Sequence, residues 1–586
     1  IMSSDWSSDV CSSDLGTPLV LELRFNTIID YPEPGVALKS LTVRELFADA
    51  SDSSGISIPF GSQPYAALAA DLDADDDEDL VISYEDDFAQ YYVNSGPIDD
   101  ASTFDDDPTN LGDANVRDTR GLNAIDVDSD GALDLFFASA TGSELWLGQL
   151  SGGDPTGEVT GNGSSALTSI AGLASTGSAW ADYDLDGDLD AYVLLDAPQS
   201  DRLLESNGDL TAFTDVSTVA LLASDATTTT SASWADVDAD GDMDLFVGWG
   251  AAVDATGLGH SALYLNQGES SGQTTFQEIG NAPSGGPGLD AVGHVSSVEW
   301  TDVSGDGHLD LVLGRAAGTG TTEGNLVLRL NDGTADFHTS GSGLGLYVDE
   351  NLDGVRTVDV DGNGVPDILS VGAMSTDVHV ALGSGDGAQR AFTDVTAASG
   401  ISAGSALGLL TADLNDDADH DVLLLRPESA TQNPDREYLW SNRASEAPSG
   451  ANMTVQLDLG DRFTFNRQGI GATVRVDALQ SDGSTLTTTR VFDGGSGRAA
   501  QGSNRLPFGI GDATSATLQI DWPDGSTQSI DALARPDFPS IALKNTANPK
   551  IQIASIEQSA QQNASSIVHT FQWETQHPGG EPQDRK

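Results

Sequence analysis

Cysteine, lysine and long apolar runs are what this 586-residue chain has least of. It has a single cysteine, Cys11, so no disulfide framework and no cysteine-rich metal site can be built from it. Lysine occurs only at Lys39, Lys544, Lys550 and Lys586, against 92 Asp and Glu residues, and the formal net charge is -68. Such a surface repels nucleic-acid phosphates and anionic membranes, which removes nucleic acid from the expected partners. No apolar stretch approaches the ~20 residues of a membrane-spanning helix, so no membrane insertion is expected. Sustained 3.6-residue periodicity is missing, which argues against helical bundles and toward an all-β fold. Also missing are His-Glu-x-x-His, a P-loop and Arg-Gly-Asp.

What the chain has instead is one nine-residue pattern, Asp-x-Asp-x-Asp-Gly-x-x-Asp followed by an apolar run. It starts at Asp71, Asp126, Asp182, Asp236, Asp302, Asp359 and Asp413, with 54 to 66 residues between starts. Three copies are complete at the first, third, fifth and ninth places and keep the Gly at the sixth: Asp126-Asp128-Asp130-Asp134, Asp182-Asp184-Asp186-Asp190 and Asp236-Asp238-Asp240-Asp244. The first copy, Asp71-Asp73-Asp75-Asp79, has Asp76 in place of Gly. The fifth is Asp302-Ser304-Asp306-Asp310, the sixth Asp359-Asp361-Asn363-Asp367 and the seventh Asp413-Asn415-Asp417-Asp421, with Ala418 in place of Gly. Alternate carboxylates on a tight turn converge on one point, and Gly at the sixth place permits the left-handed backbone there. Asp76 and Ala418 are therefore expected to carry strain. Ser and Asn offer oxygen with less charge, so binding is expected to weaken in copies five to seven.

Two carboxylates about 4 Å apart repel by ~4 kcal/mol at an effective dielectric of ~20, a penalty that a divalent ion removes. An all-oxygen donor set without Cys or His favours Ca²⁺, up to seven ions, over zinc or copper; Mg²⁺ keeps its waters and uses fewer carboxylates. An EF-hand does not fit. Its twelfth-place Glu is replaced by Ile82, Phe137, Val193, Val247, Leu313, Ser370 and Leu424, and the exits are short strand-like runs such as Leu135-Phe136-Phe137 instead of a helix.

The repeat extends beyond the loop. Phe47, Phe104, Phe213, Phe276, Phe337 and Phe392 precede six of the loops, and Trp180, Trp234 and Trp300 each stand two residues before a first Asp. Strands ending in Asn follow, as at Asn94, Asn266, Asn331 and Asn442. The aromatic positions are expected to be core. About four short strands per unit, repeated seven times, predict a seven-bladed β-propeller over 36–449; a linear solenoid would use shorter repeats.

These loops and flanking strands resemble the FG-GAP/VCBS repeat, the blade of integrin α-subunit propellers. The resemblance implies Ca²⁺ in the loops, clustered on one face. Beyond it, Asn466-Arg467-Gln468-Gly469-Ile470-Gly471, Arg490-Val491, Gly494-Gly495, Gln501, Phe508-Gly509-Ile510-Gly511 and Trp522-Pro523-Asp524-Gly525 resemble the ASPIC/UnbV domain. That domain follows such propellers in cartilage acidic protein and its bacterial relatives. Over 450–545 the residues read as a small β-rich domain, with Thr473–Val476 and Leu518–Ile520 alternating as half-buried strands.

Residues 1–15 resemble the in-frame translation of a sequencing-adapter oligonucleotide and are set aside as an artefact, Cys11 with them. Residues 16–35 are an N-terminal segment, and 546–586 read as linker or disordered tail. The acidity suits a secreted or cell-surface protein, where calcium is millimolar. With a site constant near ~10⁻⁴ M and tenfold more free calcium, each site would add ~1.4 kcal/mol. The expected function is calcium-dependent binding or adhesion to an extracellular protein or glycan by a monomeric chain, not catalysis. The alternatives are a propeller enzyme acting on extracellular polysaccharide, or a spacer module of a larger surface protein. The histidines His260, His294, His308, His338, His379 and His420 are scattered, and His308 and His420, inside acidic loops, are expected at the surface.

Overall fold

The computed structural model describes residues 46–544 apart from connecting segments (among them 107–116, 251–260, 280–288, 316–324, 340–347, 427–437, 443–451 and 459–467), and the strands Val20–Ile28, Gly35–Arg44, Ile553–Gln558 and Ile567–Trp573. The adapter-like residues 1–15, together with His260, Asn466, Arg467, Asp524 and Gly525, lie outside the described residues.

The chain is all-β. The first acidic loop joins Gln63–Ala70 to Asp79–Glu85, and Gln90–Ile98 and Ala101–Asp106 complete an antiparallel four-strand meander. The same arrangement recurs over 119–160, 175–215, 229–279, 295–339 and 354–394. A seventh sheet holds Gly408–Ala412, Asp421–Leu425 and Leu439–Asn442, and its fourth strand is Phe47–Asp49 from the other end of the chain. The first strands of successive sheets touch in order, and Gly408–Ala412 touches Gln63–Ala70, so the ring of a propeller closes with first strands innermost.

This closure shifts the phase read from the sequence. The Phe upstream of a loop belongs to the outer strand of the preceding sheet. Phe47 thus pairs with Asn442 in the seventh sheet, not with the first. A strand borrowed from the far end ties the two ends of the ring together without a covalent bond, which suits a chain lacking disulfides. Residues 35–44 form a hairpin with Val20–Ile28 and add no strand to any blade.

Apolar side chains fill each of the seven gaps between neighbouring sheets. Ile125 and Phe136 of the second sheet meet Trp180 and Val193 of the third. Leu80 and Tyr84 of the first meet Leu410 and Leu423 of the seventh. Trp180 lies edge-on to Phe213 at 6.0 Å, and Trp234 and Trp300 sit 5.9 and 6.1 Å from Phe276 and Phe337. All these rings are buried, as expected of core. Each is worth a few kcal/mol of burial, with ring-edge contacts adding ~0.5–1.5 kcal/mol.

Residues 452–534 build a two-sheet sandwich. Thr473–Leu479 and Ser515–Asp521 alternate buried and half-buried positions, as their sequence pattern predicts. Val474, Val476, Leu518 and Ile520 point inward onto Met453, Phe508 and Trp522. Ser540–Lys544 joins one of the two sheets. Ile553–Gln558 and Ile567–Trp573, within the 546–586 read as linker or disordered tail, continue that same sheet; their Ile, Val, Phe and Trp content has strand character amid flanking Gln and Asn.

The sandwich does not stand clear of the ring. Gly494–Gly497 pairs antiparallel with Ser175–Ala181, the inner strand of the third sheet, and Ala500–Gln501 pairs in parallel with Gln63–Ala70 of the first. These two short strands also touch the inner strands of the second, fourth, fifth and seventh sheets, so they plug the centre of the ring. Gly is required at 494, because a Cβ there would overlap the Trp180 carbonyl.

Candidate metal centres

Each acidic loop is the turn between the two inner strands of a sheet, and its Asp residues are divided between structure and ligation. The first Asp organises the turn. Asp126 Oδ1 accepts the Asp130 N–H at 3.1 Å and Oδ2 accepts the Gly131 N–H at 3.0 Å. The same pair recurs at Asp182, Asp236, Asp302, Asp359 and Asp413. At Asp71 the bond to Asp75 N is present, and Asp76 lies outside the described residues. The fifth-place oxygen caps the seventh-place N–H, as Asp130 does for Ala132 at 2.9 Å.

The ninth Asp opens the second strand and is buried in every copy. One of its oxygens accepts an N–H from the third strand: Asn94 on Asp79, Gly148 on Asp134, Ser206 on Asp190, Asn266 on Asp244, Asn331 on Asp310, Gly383 on Asp367 and Asn442 on Asp421, all at 2.6–2.8 Å. The other oxygen turns toward the loop. In the first loop it already accepts the Tyr91 hydroxyl at 2.6 Å.

The Asn residues that end the third strands do something the sequence alone did not reveal. Their side-chain amides donate to the second-place carbonyl of the preceding loop around the ring: Asn266 to Tyr183, Asn331 to Val237, Asn442 to Val360, and Asn94 to Leu414 across the closure. Four of the loops are thereby clamped to the neighbouring sheet. The recurring Asn was visible in the sequence; its partner, 82 to 320 residues away, was not.

The left-handed backbone of the loops also lies partly where the pattern does not point. Gly131, Gly187 and Gly241 have positive φ as expected, and Ala418 adopts φ 68° without being Gly. The fourth place is left-handed as well, and is filled by Ala74, Ser129, Leu185 and Ala239 at φ 56–61°. Holding these residues there costs roughly 1–2 kcal/mol each, strain that the carboxylate–amide bonds must offset.

Carboxylate oxygens of Asp71, Asp73 and Asp75, of Asp126, Asp128 and Asp134, of Asp182, Asp184 and Asp190, and of Asp236, Asp238 and Asp244 lie within 4.8 Å of one another in each group. Asp73 Oδ1, Asp184 Oδ1, Asp190 Oδ2 and Asp238 Oδ1 are buried with no hydrogen-bond partner. Burial first, then the neighbouring carboxylates, raise the pKa values: Asp182 rises to about 7 and Asp184 to about 6. Burial also lifts Asp244 to about 9 and Asp79 to about 8, against their N–H donors, and pushes Asp134 and Asp190 well up. Buried, converging oxygens without donors fit a hard divalent cation, whose charge would return these groups to the ionised state. Asp79 completes the predicted donor set of the first loop from a buried position, and Asp130, Asp186 and Asp240 complete the other three from exposed positions on the turn.

The remaining loops differ in their surroundings. Ser304 replaces a carboxylate in the fifth, and the Arg390 guanidinium presses against Gly305 and opposes the burial that raises Asp302 to about 6. Arg475 of the sandwich lies against Gly307. In the sixth, Asp361 and Asn363 flank Asp359, which Gly509 of the sandwich meets closely, and Thr488 donates to Gly364 O at 3.1 Å. In the seventh, Asn415, Asp417 and Asp421 surround Asp413 beside His420, which is 3 % exposed. The expectation that His420 is a surface residue is thus overturned, because the sandwich covers it. His308 is half-buried.

The loops do gather on one face of the ring, and the sandwich sits on that face. Gln468 accepts from Asp126 N at 3.0 Å, Thr489 O accepts from Asp302 N at 3.2 Å, and Ser503 bonds Glu78.

Fold and site together define a β-propeller built from acidic-hairpin repeats and closed over by a β-sandwich. Residues 182–247, 302–370 and 359–424 match the FG-GAP-like repeat, and residues 464–537 match ASPIC and UnbV. The chain carries FG-GAP-like repeats followed by an ASPIC/UnbV domain. No curated protein matches its sequence.

Solved structures similar to it include an Agrocybe aegerita lectin that recognises non-reducing terminal N-acetylglucosamine (20% identity over 57% of this chain and 81% of the lectin, TM-score 0.35). Another is BBS1N in complex with ARL6DN (13% identity, 67% of this chain and 99% of the other, TM-score 0.37). A third is the exotype rhamnogalacturonan lyase YesX (10% identity, 68% and 76%, TM-score 0.27). Likeness at this level carries no functional argument. Among the described residues no helix is long and apolar enough to cross a membrane.

Proposed function

We propose that the protein is a secreted or cell-surface, calcium-dependent binding module that engages an extracellular protein or glycan and performs no catalysis. One observation carries this reading: a single acidic hairpin is repeated around a ring, with buried oxygens of Asp73, Asp184, Asp190 and Asp238 lacking any donor. That geometry calls for a divalent ion in oxygen coordination, and calcium suits seven-to-eightfold, carboxylate-rich sites better than magnesium. Where calcium is millimolar such sites stay filled, which favours an extracellular setting.

The face bearing the loops is occupied by the sandwich, so the opposite face and the outer edges of the ring are left for a partner. Among the described residues the histidines form no cluster that would serve acid–base chemistry, and the paired carboxylates of the acidic loops are engaged in the hairpins. The test is calorimetric titration of calcium into chelator-treated protein, followed by an array of extracellular polysaccharides probed with calcium and with EDTA. Saturable calcium uptake, with glycan retention lost in EDTA, supports the reading. Failure to take up calcium overturns it. Release of shortened saccharide would replace binding by catalysis.

A further inference from the structure

Arginine is concentrated where this acidic chain has least reason to keep it. A cavity of about 80 Å³ opens at the mouth of the ring, between the inner strands of the fifth, sixth and seventh sheets and the sandwich, and three guanidiniums line it: Arg356, Arg490 and Arg505. All three are more than nine-tenths buried. Burying a cation is costly unless something pairs with it.

Two carboxylates line the same cavity, and both have other partners. Glu299 accepts from Arg356 Nη1 at 2.6 Å and from Thr357 at 3.1 Å. Asp493 accepts the Gly495 N–H at 2.8 Å. Arg490 gives Nη1 to Thr357 O at 2.9 Å, while its Nε and Nη2 have no acceptor. Those two donors form the side-on fork that grips a carboxylate in bidentate fashion. His420 lies beside Arg490 and Arg505 with both ring nitrogens unpartnered. Glu299, Asp359 and Asp367 all lie in the field of Arg490, so it is the open Nε/Nη2 edge, not a surplus of charge, that selects the ligand, and this edge matches one planar carboxylate. The volume suits a group of a few heavy atoms.

We propose that this cavity between ring and sandwich is a binding site for a carboxylate, held by the free edge of Arg490 with Arg505 and His420 around it. The carboxylate is that of a small free acid or of a uronic acid on a glycan, and the site borders the sixth and seventh hairpins, the latter supplying His420.

The experiment titrates the full chain, in saturating calcium, with sodium acetate, with D-galacturonate against D-galactose, and with inorganic phosphate, at matched ionic strength. One-to-one binding of acetate or galacturonate is expected, with galactose silent and with at least a tenfold loss in Arg490→Lys, which keeps the charge and removes the fork. Acetate binding assigns the small acid as sufficient; galacturonate without acetate assigns the sugar acid. Binding by neither, tighter binding of phosphate, or an Arg490→Lys variant that binds unchanged overturns the site. Should the variant fail to fold, wild-type crystals soaked in bromoacetate decide: a bromine peak in the cavity supports the proposal, and water alone there overturns it. Calcium uptake by the hairpins is read in the same titration, so failure of this site and failure of the calcium reading are told apart.

Discussion

The third and fifth hairpins share a backbone and differ in what neutralises them. In the third, Asp182, Asp184 and Asp190 converge, and Asp184 Oδ1 and Asp190 Oδ2 have no donor. In the fifth, Ser304 stands in for a carboxylate, its N–H binds Asp310 Oδ2 at 2.8 Å, and Arg390 and Arg475 press on the turn. One turn geometry thus accommodates either converging carboxylates without donors, which the proposed ion would neutralise, or a turn against which the chain's own arginines press. The difference teaches that a repeat can keep its hairpin while its demand for metal falls.

The largest effect that could break this contrast is chelation. At ~1.4 kcal/mol per filled site, stripping calcium should cost several kcal/mol and lower the unfolding midpoint by many degrees. Scanning calorimetry with and without EDTA measures it, and coincident midpoints would remove the contrast altogether.

The pH response should follow next. In the metal-free protein Asp244, Asp79, Asp182 and Asp310 have folded-state pKa values of about 9, 8, 7 and 7, above their unfolded value near 3.8. Raised acids stabilise the fold below the unfolded pKa, and that stability is lost as pH rises through the folded values. Chelated protein should therefore weaken steadily between about pH 4 and 9, and the gain from added calcium should grow over the same window. Thermal melts in EDTA that are flat with pH would contradict the burial of these groups.

Single residues come third. Asp190→Ala removes the acceptor of Ser206 N–H and a ligand oxygen, so a loss of about 2–4 kcal/mol and one fewer ion bound are expected. Asp310→Ala should lose comparable stability with less change in calcium stoichiometry. Denaturant melts and calorimetry on both variants sharpen the comparison; equal loss of calcium would erase it. Asn331→Ala should cost about 1–2 kcal/mol by freeing Val237 O and breaking a clamp between sheets. The smallest effect belongs to Ser304→Asp, which restores the missing carboxylate and should tighten calcium at the fifth hairpin by up to about tenfold, or ~1.4 kcal/mol.

The hairpins were legible because their chemistry is local. Nine residues contain the turn, the carboxylates and the strand exit, and a period of 54 to 66 residues announces the repeat. The aromatic core was legible for the same reason, since Trp180, Trp234 and Trp300 keep a fixed offset from the loops. The role of Asn94, Asn266, Asn331 and Asn442 was half visible: the residue recurs, but its acceptor lies on another sheet. The plug at 494–501 left one trace, the glycines at 494 and 495 inside a strand, which mark a close backbone approach. His420 was misplaced because burial by a domain 50 to 90 residues later leaves no mark on its own loop.

Sequence by itself determined the all-β repeat, the acidic hairpins and the small β domain that follows them, because each depends on residues within one turn or one strand. Tertiary structure alone decided that Phe47–Asp49 closes the seventh sheet, that the sandwich covers the hairpin face, and that Arg356, Arg490 and Arg505 meet in one cavity. Those outcomes depend on which distant surfaces bury each other, and contact energies between segments hundreds of residues apart are not written in the order of either segment.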